Sequence, residues 1–291
     1  MKKIKIFCFG FGQVAKAFIN KLQNEKYDIE LSVTSRGKSE TKKFNNLIFH
    51  SYSFENDRFD ERLIMELKKF DHILISIPPS KNNDIVIKNF SKVILENNLK
   101  WITYLSATSV YGDHKGKWVN ENSTTKPSSQ NGIMRLKAEK EWISFSKLKN
   151  LPLQIFRLSG IYSNENNVLK RLRLGNVNLI NAKNHFFSRI HVEDIANILF
   201  KSLNKIKRNE IFNISDDKPS SSQEVTLYGV EILKLDKPKE INIDEIESEM
   251  MRNFYKDSKK IDNKKMKDYF EFSLKYPSYV EGLNDIKNHI F

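Results

Sequence analysis

The chain has 291 residues, of which 39% are hydrophobic, and a formal net charge of +13 at pH 7. This length suits one α/β domain with an appended lobe, or two modest domains. No apolar run approaches the roughly 18 residues that cross a bilayer, so we expect no membrane anchor. The single cysteine, Cys8, cannot form an intramolecular disulfide. We therefore predict a globular, cytoplasmic protein.

The positive charge raises the question of nucleic-acid binding, because Lys and Arg attract phosphate polyanions. The 49 Lys and Arg residues are, however, spread along the chain and alternate with acids, as in residues 139–141 and 234–240. No helix-turn-helix, zinc-finger or RNP-type pattern accompanies them. We expect a solvated basic surface with no nucleic-acid partner, and no metal site, because no His/Cys cluster has ligand spacing.

The beginning of the chain carries the most informative local pattern. An apolar run at residues 4–9 leads directly into GFGQVA at residues 10–15 and then into a helical pattern. G-x-G-x-x-A between a strand and a helix is a fingerprint of dinucleotide binding, in which the pyrophosphate lies at the helix N-terminus. A tight turn in some other α/β protein is the alternative. The predicted cofactor contacts here are Gly10, Phe11, Gly12, Gln13 and Val14.

The end of the second predicted strand, residues 29–34, bears on which dinucleotide binds. NAD-binding proteins place a carboxylate about 20 residues after the glycines, on the ribose hydroxyls. This chain has Ser35 and Arg36 there instead, and Lys38 follows. A guanidinium beside a hydroxyl suits a 2′-phosphate. We predict contacts from Ser35 and Arg36, with NADP(H) preferred and NAD(H) as the alternative; an ordinary basic loop is the other interpretation.

The rest of the first half repeats strand and helix with short connections, which indicates a parallel sheet with right-handed crossovers. Ile77, Pro78 and Pro79 leave the fourth strand at the edge expected to border the adenosine and the pyrophosphate, so they are further cofactor-binding candidates. The predicted elements are strands at 47–52, 72–77 and 101–106 and helices at 58–69 and 83–97.

The sequence YLSATSVYGD at residues 104–113 resembles the extended and atypical short-chain dehydrogenase/reductases, the NAD-dependent epimerase/dehydratase group. The resemblance continues through residues 118–121, 156–162, 189–196 and 212–216. It implies a doubly wound parallel Rossmann sheet with a smaller C-terminal α+β substrate lobe. The implied boundaries are a dinucleotide-binding domain at 1–163, to which 188–217 returns, and a lobe at 164–187 and 218–291.

That family's chemistry uses a Tyr-x-x-x-Lys pair on one helix and a Ser or Thr at the end of the fifth strand. Residues four apart share a helix face, so the lysine can lower the tyrosine pKa. Here the corresponding positions are Asn131, Arg135 and Ala107, so the usual triad is absent. The remaining catalytic candidates are Tyr111, Thr108 and Arg135, and for Tyr111 we favour lining the pocket over proton transfer. The resemblance adds Ser106, Ser159, Gly160 and Ile161 as cofactor-side candidates.

The C-terminal part carries weaker patterns. We predict a hairpin at 181–184 and helices at 221–233, 244–251 and 280–288. Arg171 and Arg173 are candidates for binding an anionic substrate, with a solvated helix face as the alternative.

Two functions remain open from the sequence. The first is an NADP(H)-dependent oxidoreductase, epimerase or dehydratase acting on a sugar-nucleotide-like or small carbonyl substrate with a non-standard active site. The second is a non-catalytic NADP(H)-binding sensor or partner-binding module, which the missing triad favours. Fold alone does not choose between them, since chemistry resides in the site. The intact cofactor features and the retained second lobe favour the enzyme, and we lean toward it. By analogy, a homodimer could form through the helices at 83–97 and 131–149.

Overall fold

The computed structural model describes residues 2–81, 83–182 and 184–290. Its strands are β1 (Lys3–Phe9), β2 (Asp28–Ser35), β3 (Glu40–Phe44), β4 (Leu47–Glu55), β5 (Arg58–Phe59), β6 (His72–Ile75), β7 (Trp101–Ala107), β8 (Trp118–Val119), β9 (Leu153–Leu158), β10 (Gly160–Tyr162), β11 (Leu179–Asn181), β12 (Arg189–His191), β13 (Glu210–Ile214), β14 (Glu240–Asn242) and β15 (Lys260–Ile261).

The helices are α1 (Gln13–Asn24), α2 (Arg62–Leu67), α3 (Ile85–Glu96), α4 (Gln130–Lys147), α5 (Val168–Arg173), α6 (Val192–Ser202), α7 (Ser222–Leu233), α8 (Glu249–Tyr255), α9 (Lys264–Phe270) and α10 (Tyr279–Ile290), with 3₁₀ turns at Thr108–Tyr111 and Ile243–Glu245.

The chain divides into two compact units. Unit 1 contains Met1–Ser106, Met134–Arg157 and Ile195–Phe212, and unit 2 contains Ala107–Ile133, Leu158–Asp194 and Asn213–Phe291. The unit boundaries differ from the domain boundaries expected at 163, 188 and 217, because the segments that follow β7, β9 and β13 make most of their contacts within unit 2.

Most of unit 1 is one large sheet with the strand order β13-β9-β7-β6-β1-β2-β4-β3, and β5 pairs with β4. Strand β1 runs parallel to both β2 and β6, and β6 runs parallel to β7. From β1, the chain adds β2 and β4 on one side and then β6, β7, β9 and β13 on the other. This is the arrangement of a doubly wound sheet. This confirms the predicted α/β fold.

Apolar runs form the strands because both faces of a parallel sheet are covered by helices. The core of unit 1 includes Phe7 and Phe9 of β1, Tyr104 of β7 and Trp142 of α4. The N-terminus of α3 is fixed by Asp84, whose Oδ1 accepts hydrogen bonds from two backbone N–H groups at 3.0 and 3.1 Å. This cap fixes the first turn of α3.

The structure differs from the predicted elements in several places. Strand β3, sequence ETKKF, was not expected because it lacks an apolar alternation; it forms as an edge strand antiparallel to β4. The helix predicted at 58–69 starts only at Arg62, since β5 uses the preceding residues. The helix predicted at 244–251 is wrong, because a 3₁₀ turn is followed by α8.

Unit 2 is built from short parallel pairs, β10 with β12, β11 with β14 and β8 with β15. Its main apolar cluster joins α5, α7 and α10 and includes Leu169, Val225 and Leu283. The hairpin predicted at 181–184 includes Lys183, which lies outside the described residues, and β11 pairs in parallel with β14 instead of forming a hairpin strand.

Candidate active site

The glycine turn after β1 has the geometry that its sequence predicts. Gly10 has φ +88°, a left-handed conformation that favours glycine. A Cβ at this position would lie 2.8 Å from Ile77 Cγ2 and 2.9 Å from Ser76 Oγ. The Gly10 N–H donates to Thr34 Oγ1 at 2.9 Å, and Ser76 Oγ donates to the carbonyl groups of Phe9 and Gly10. Two hydroxyls therefore fix the turn, that of Thr34 on β2 and that of Ser76 directly after β6.

The residues that follow fit a dinucleotide pyrophosphate. Gly12 precedes α1 with φ −83°, and a Cβ added there would meet no atom within 4 Å. Among the described residues no side chain caps α1 by a hydrogen bond, and its first turn contains no acidic residue, so the helix itself leaves its positive end without a carboxylate. Val14 and Ala15 are buried, and Gln13 is half-buried. This open, positively polarised end of α1 is the observation that supports a cofactor site.

The segment after β2 presents the predicted basic group. Arg36 is exposed and makes no hydrogen bond or ion pair within the ranges that the structure describes. Ser35 Oγ accepts a hydrogen bond from Ser51 Oγ at 3.0 Å. Phe11 packs its ring on Phe44 and Phe49, with ring centroids 5.5 and 5.0 Å apart. The glycine turn is thus tied to the β3–β4 hairpin that follows Arg36.

The other predicted unit 1 residues lie at the ends of β6 and β7. Ile77 is half-buried, Pro78 is exposed and Pro79 is buried in the segment after β6. Ser106 lies one residue before the end of β7; its hydroxyl is buried and finds no hydrogen-bond partner among the described residues. Carboxyl ends of neighbouring parallel strands meet at one edge of a sheet, which is where ligands of such sheets bind.

Arg135 of α4 has a structural contact. Its Nη1 donates to the carbonyl of Leu105 on β7 at 2.7 Å. One helical turn further, the carboxylate of Glu139 binds Arg157 of β9 through Nε and Nη2, at 2.7 to 3.2 Å, and both side chains are buried. The sequence reasoning missed this pair, although a Glu and an Arg within apolar surroundings were a signal for it.

In unit 2, the hydroxyl of Tyr111, the tyrosine considered in the sequence analysis, is engaged in a hydrogen bond. Tyr111 ends the 3₁₀ turn that begins with half-buried Thr108, and its buried Oη donates to Asn213 Oδ1 at 2.7 Å. The Asn213 N–H in turn donates to Glu121 Oε1 at 2.7 Å. Burial raises the pKa of Glu121, while its backbone hydrogen bond opposes that rise. Tyr111 thereby helps to position a half-buried carboxylate.

The predicted nicotinamide-side residues lead into a buried charged cluster of unit 2. Ser159 follows β9, and its buried hydroxyl has no hydrogen-bond partner among the described residues. Gly160 is exposed and Ile161 is half-buried; they pair with Arg189 and Ile190 of β12. Asp216 is buried, and burial raises the pKa of its carboxyl against the opposing charge of Arg189. Arg189 and Asp216 were not predicted as site residues, although both lie in the family-like segments.

His191 and Asp194 have structural contacts at the start of α6. Burial lowers the pKa of His191 to about 4, and its Nδ1 accepts from the Glu193 N–H at 3.3 Å. The Asp194 carboxylate accepts from the backbone N–H groups of Lys275 and Tyr276, at 2.8 and 2.9 Å. The Asp194 contacts attach the segment that precedes α10 to the start of α6.

Two surface pockets lie within unit 2. One, of about 420 Å³, includes Arg173, Lys234 and Lys287, which lie at the C-terminal ends of α5, α7 and α10, where cations complement helix carbonyl groups. Arg171, also on α5, is exposed and is not among the residues that line this pocket. The other, of about 260 Å³, includes the exposed Trp118 together with Asp216 and Asn263.

Within the described residues, no group of three or more His, Cys, Asp or Glu side chains is arranged to hold a metal ion. No helix in that part of the chain is long and apolar enough to cross a membrane.

A family model matches residues 10–215, which run from the glycine turn to Ser215 after β13; its description is the NAD dependent epimerase/dehydratase family. The chain belongs to the NAD-dependent epimerase/dehydratase family. This confirms the resemblance seen in the sequence and the expected class of enzyme, and it establishes a nicotinamide dinucleotide as the family's cofactor.

Solved structures of similar proteins share the fold of this chain. A functionally unknown conserved protein from Silicibacter pomeroyi DSS is 29% identical, with a TM-score of 0.86 and 98% of each chain covered. UDP-N-acetylglucosamine 4-epimerase from Bacillus cereus is 19% identical, with a TM-score of 0.75, covering 97% of this chain and 98% of that one.

The dTDP-glucose 4,6-dehydratase of Bacillus anthracis str. Ames, solved with NAD, is 17% identical, with a TM-score of 0.75, covering 98% of this chain and 96% of that one. At these two lower identities the likeness concerns the fold. A comparison with curated proteins finds no match.

Proposed function

We propose that this epimerase/dehydratase-family protein is an NADP(H)-dependent enzyme acting on a sugar-nucleotide-like or other small carbonyl or alcohol substrate. The observation that carries the proposal is the glycine turn, with its open space at Gly12 and the unopposed N-terminus of α1. The printed names of two neighbours, a UDP-N-acetylglucosamine epimerase and a dTDP-glucose dehydratase, support a sugar-nucleotide-like substrate.

In this proposal, backbone N–H groups from Gly10 to Val14 bind the pyrophosphate, and Phe11 keeps the turn against the β3–β4 hairpin. Arg36 and Ser35 hold the 2′-phosphate, because Arg36 is exposed with no protein partner among the described residues. A bound nicotinamide dinucleotide supplies hydride transfer. Further contacts to the cofactor come from Ile77, Pro78, Pro79, Ser106, Ser159, Gly160 and Ile161.

The proton transfer needs a donor outside the usual pair, because an amide, Asn131, and a guanidinium, Arg135, stand at the tyrosine and lysine positions. Thr108 remains a candidate for binding the reacting oxygen. Arg135 supplies positive charge while its Nη1 holds the Leu105 carbonyl. For Tyr111 we propose a positioning role, since its hydroxyl is buried and donates to Asn213.

A second function, a sensor or partner-binding module that holds NADP(H) without turnover, is favoured by the same observations. The candidate hydroxyl of Tyr111 and one arm of the Arg135 guanidinium are both engaged in structural hydrogen bonds. In that case the dinucleotide would act as a ligand and not as a redox cofactor.

The test is to mix the protein with NADP⁺ or NAD⁺ and UDP-N-acetylglucosamine or dTDP-glucose. NMR follows the sugar and absorbance follows the reduced dinucleotide. A new sugar product supports the enzyme. Dinucleotide binding with no change in either sugar, or in a wider carbonyl panel, supports the sensor. The molar mass in solution tests the predicted homodimer.

A further inference from the structure

Arg189 of β12 is held in a fixed orientation within unit 2. Its Nη1 donates to the carbonyl of Phe187 at 3.1 Å and to the carbonyl of Ser220 at 3.0 Å. Phe187 and Ser220 are themselves joined by an antiparallel bridge. The Nε and Nη2 groups have no hydrogen-bond acceptor among the residues that the structure describes. The forked side of the guanidinium is therefore unused by the protein.

Asp216 does not supply the missing acceptor. It is 1% exposed, and no side chain in the described ranges donates a hydrogen bond to its carboxylate. Its backbone N–H donates to the carbonyl of Arg189 at 2.7 Å, and its carboxylate interacts with the guanidinium electrostatically, without a close ion pair in the described structure. Arg189 is half-buried, and its unused donors would form charge-assisted hydrogen bonds with an oxyanion that contacts them.

Arg189 lies next to a residue that we predict on the nicotinamide side of the cofactor. Gly160 lies opposite Arg189 in the parallel pair of β10 and β12. A Cβ at Gly160 would be 4.0 Å from Arg189 Cγ and 3.4 Å from the Ser188 carbonyl oxygen. The stem of Arg189 therefore passes beside Gly160, which is itself exposed.

We propose that Arg189 binds an oxyanion of the substrate, a carboxylate or a phosphate carried near the carbon that reacts. This inference rests on the proposed function, because it uses Gly160 as a nicotinamide-side residue. Guanidinium is suited to this role because its planar fork matches two oxygens of one anionic group.

The test compares three probes that share one sugar ring: glucose, glucuronate and glucose 6-phosphate. Each is titrated by NMR into the NADP⁺-loaded protein. We expect one of the two anionic probes to bind at least about tenfold more tightly than glucose. Preference for glucuronate identifies a carboxylate site, and preference for glucose 6-phosphate identifies a phosphate site. Equal binding of all three probes would overturn the proposal.

Variants separate binding from folding. Arg189→Met should remove the anion preference, and Arg189→Lys, which keeps the charge but loses the fork, should reduce it. Arg252→Met is the matched control, because Arg252 is an exposed arginine of the same unit with no predicted role in anion binding, and it should keep the preference. If Arg189→Met does not fold, Arg189→Lys decides: an anion preference equal to that of the wild type contradicts the proposal.

The dinucleotide titration without sugar distinguishes this inference from the function on which it rests. If the wild-type protein does not bind NADP⁺, the proposed function is refuted. Normal NADP⁺ binding combined with an anion preference that does not depend on Arg189 would refute only the role of Arg189.

Discussion

Arg157 of unit 1 and Arg189 of unit 2 are both arginines on short strands, yet their environments differ. Arg157 donates through Nε and Nη2 to both oxygens of Glu139, and the two side chains are 4% and 2% exposed. Arg189 uses Nη1 for two backbone carbonyl groups, and its other nitrogen atoms have no acceptor among the described residues. A charge that the fold satisfies serves stability, whereas a charge that it leaves unsatisfied is available to a ligand.

Glu139→Ala should cause the largest loss of stability. It leaves the guanidinium of Arg157 buried without its carboxylate, and breaking such a pair costs about 3–5 kcal/mol. Thermal unfolding should show a Tm lowered by roughly 10 °C. Glu96→Ala is the control, because Glu96 is exposed and lies 3.9 Å from Lys68, so the Tm should barely change. Equal shifts in the two variants would contradict the contrast between satisfied and exposed charges.

His191 extends the comparison to a buried group that must remain neutral. Burial lowers the pKa of His191 to about 4 in the folded chain, against an ordinary value of 6.5. Between these pH values the unfolded chain binds the proton and the folded chain does not. The contribution of His191 therefore lowers the free energy of unfolding as pH falls, by about 1.4 kcal/mol per pH unit.

Urea unfolding at several pH values measures this dependence. His191→Gln should lose that contribution, so the stability of the wild type relative to the variant should decline below pH 6.5 and be constant above it. His289→Gln is the control, since the His289 side chain is 64% exposed. A His191→Gln profile parallel to that of the wild type would refute a neutral, buried His191.

The glycine turn and the Arg189 cluster also differ in how far the sequence predicts them. The turn is encoded locally, because a positive φ at Gly10 and open space at Gly12 follow from a G-x-G pattern between a strand and a helix. The hydroxyl of Thr34, which fixes the turn from a neighbouring strand, was not predicted as a contact.

Elements that depend on distant partners were predicted least well. Strand β3 is polar and forms only against β4, with Phe44 meeting Phe11 across the turn. The orientation of Arg189 depends on the carbonyl of Ser220, 31 residues away in the sequence, and its electrostatic environment depends on Asp216. Hydrophobic periodicity does not report such contacts, since they arise from tertiary packing.

Gly10→Ala and Gly12→Ala should separate strain from open space within the turn. The left-handed conformation alone costs an ordinary residue about 1–2 kcal/mol, and a Cβ at Gly10 would also crowd Ile77. We expect Gly10→Ala to lower the Tm and Gly12→Ala to leave it nearly unchanged. Similar Tm values for the two variants would contradict the described turn.

Arg36→Gln should have the smallest effect, confined to one ligand. Loss of the guanidinium should weaken NADP(H) binding about tenfold, equivalent to about 1.4 kcal/mol, and leave NAD(H) binding unchanged. Calorimetric titration of both dinucleotides measures this, with Lys38→Gln as a neighbouring basic control. Tighter binding of NAD(H) than of NADP(H) by the wild type would refute the predicted preference.

Gly12→Asp tests most directly whether the protein binds a dinucleotide at the N-terminus of α1. A side chain at Gly12 has room, and aspartate is a favourable N-cap, so the variant should fold with an unchanged or higher Tm. Its carboxylate would repel the pyrophosphate. Calorimetry should then show NADP⁺ binding by the wild type and none by the folded variant. No binding by the wild type, or equal binding by both proteins, would contradict the claim.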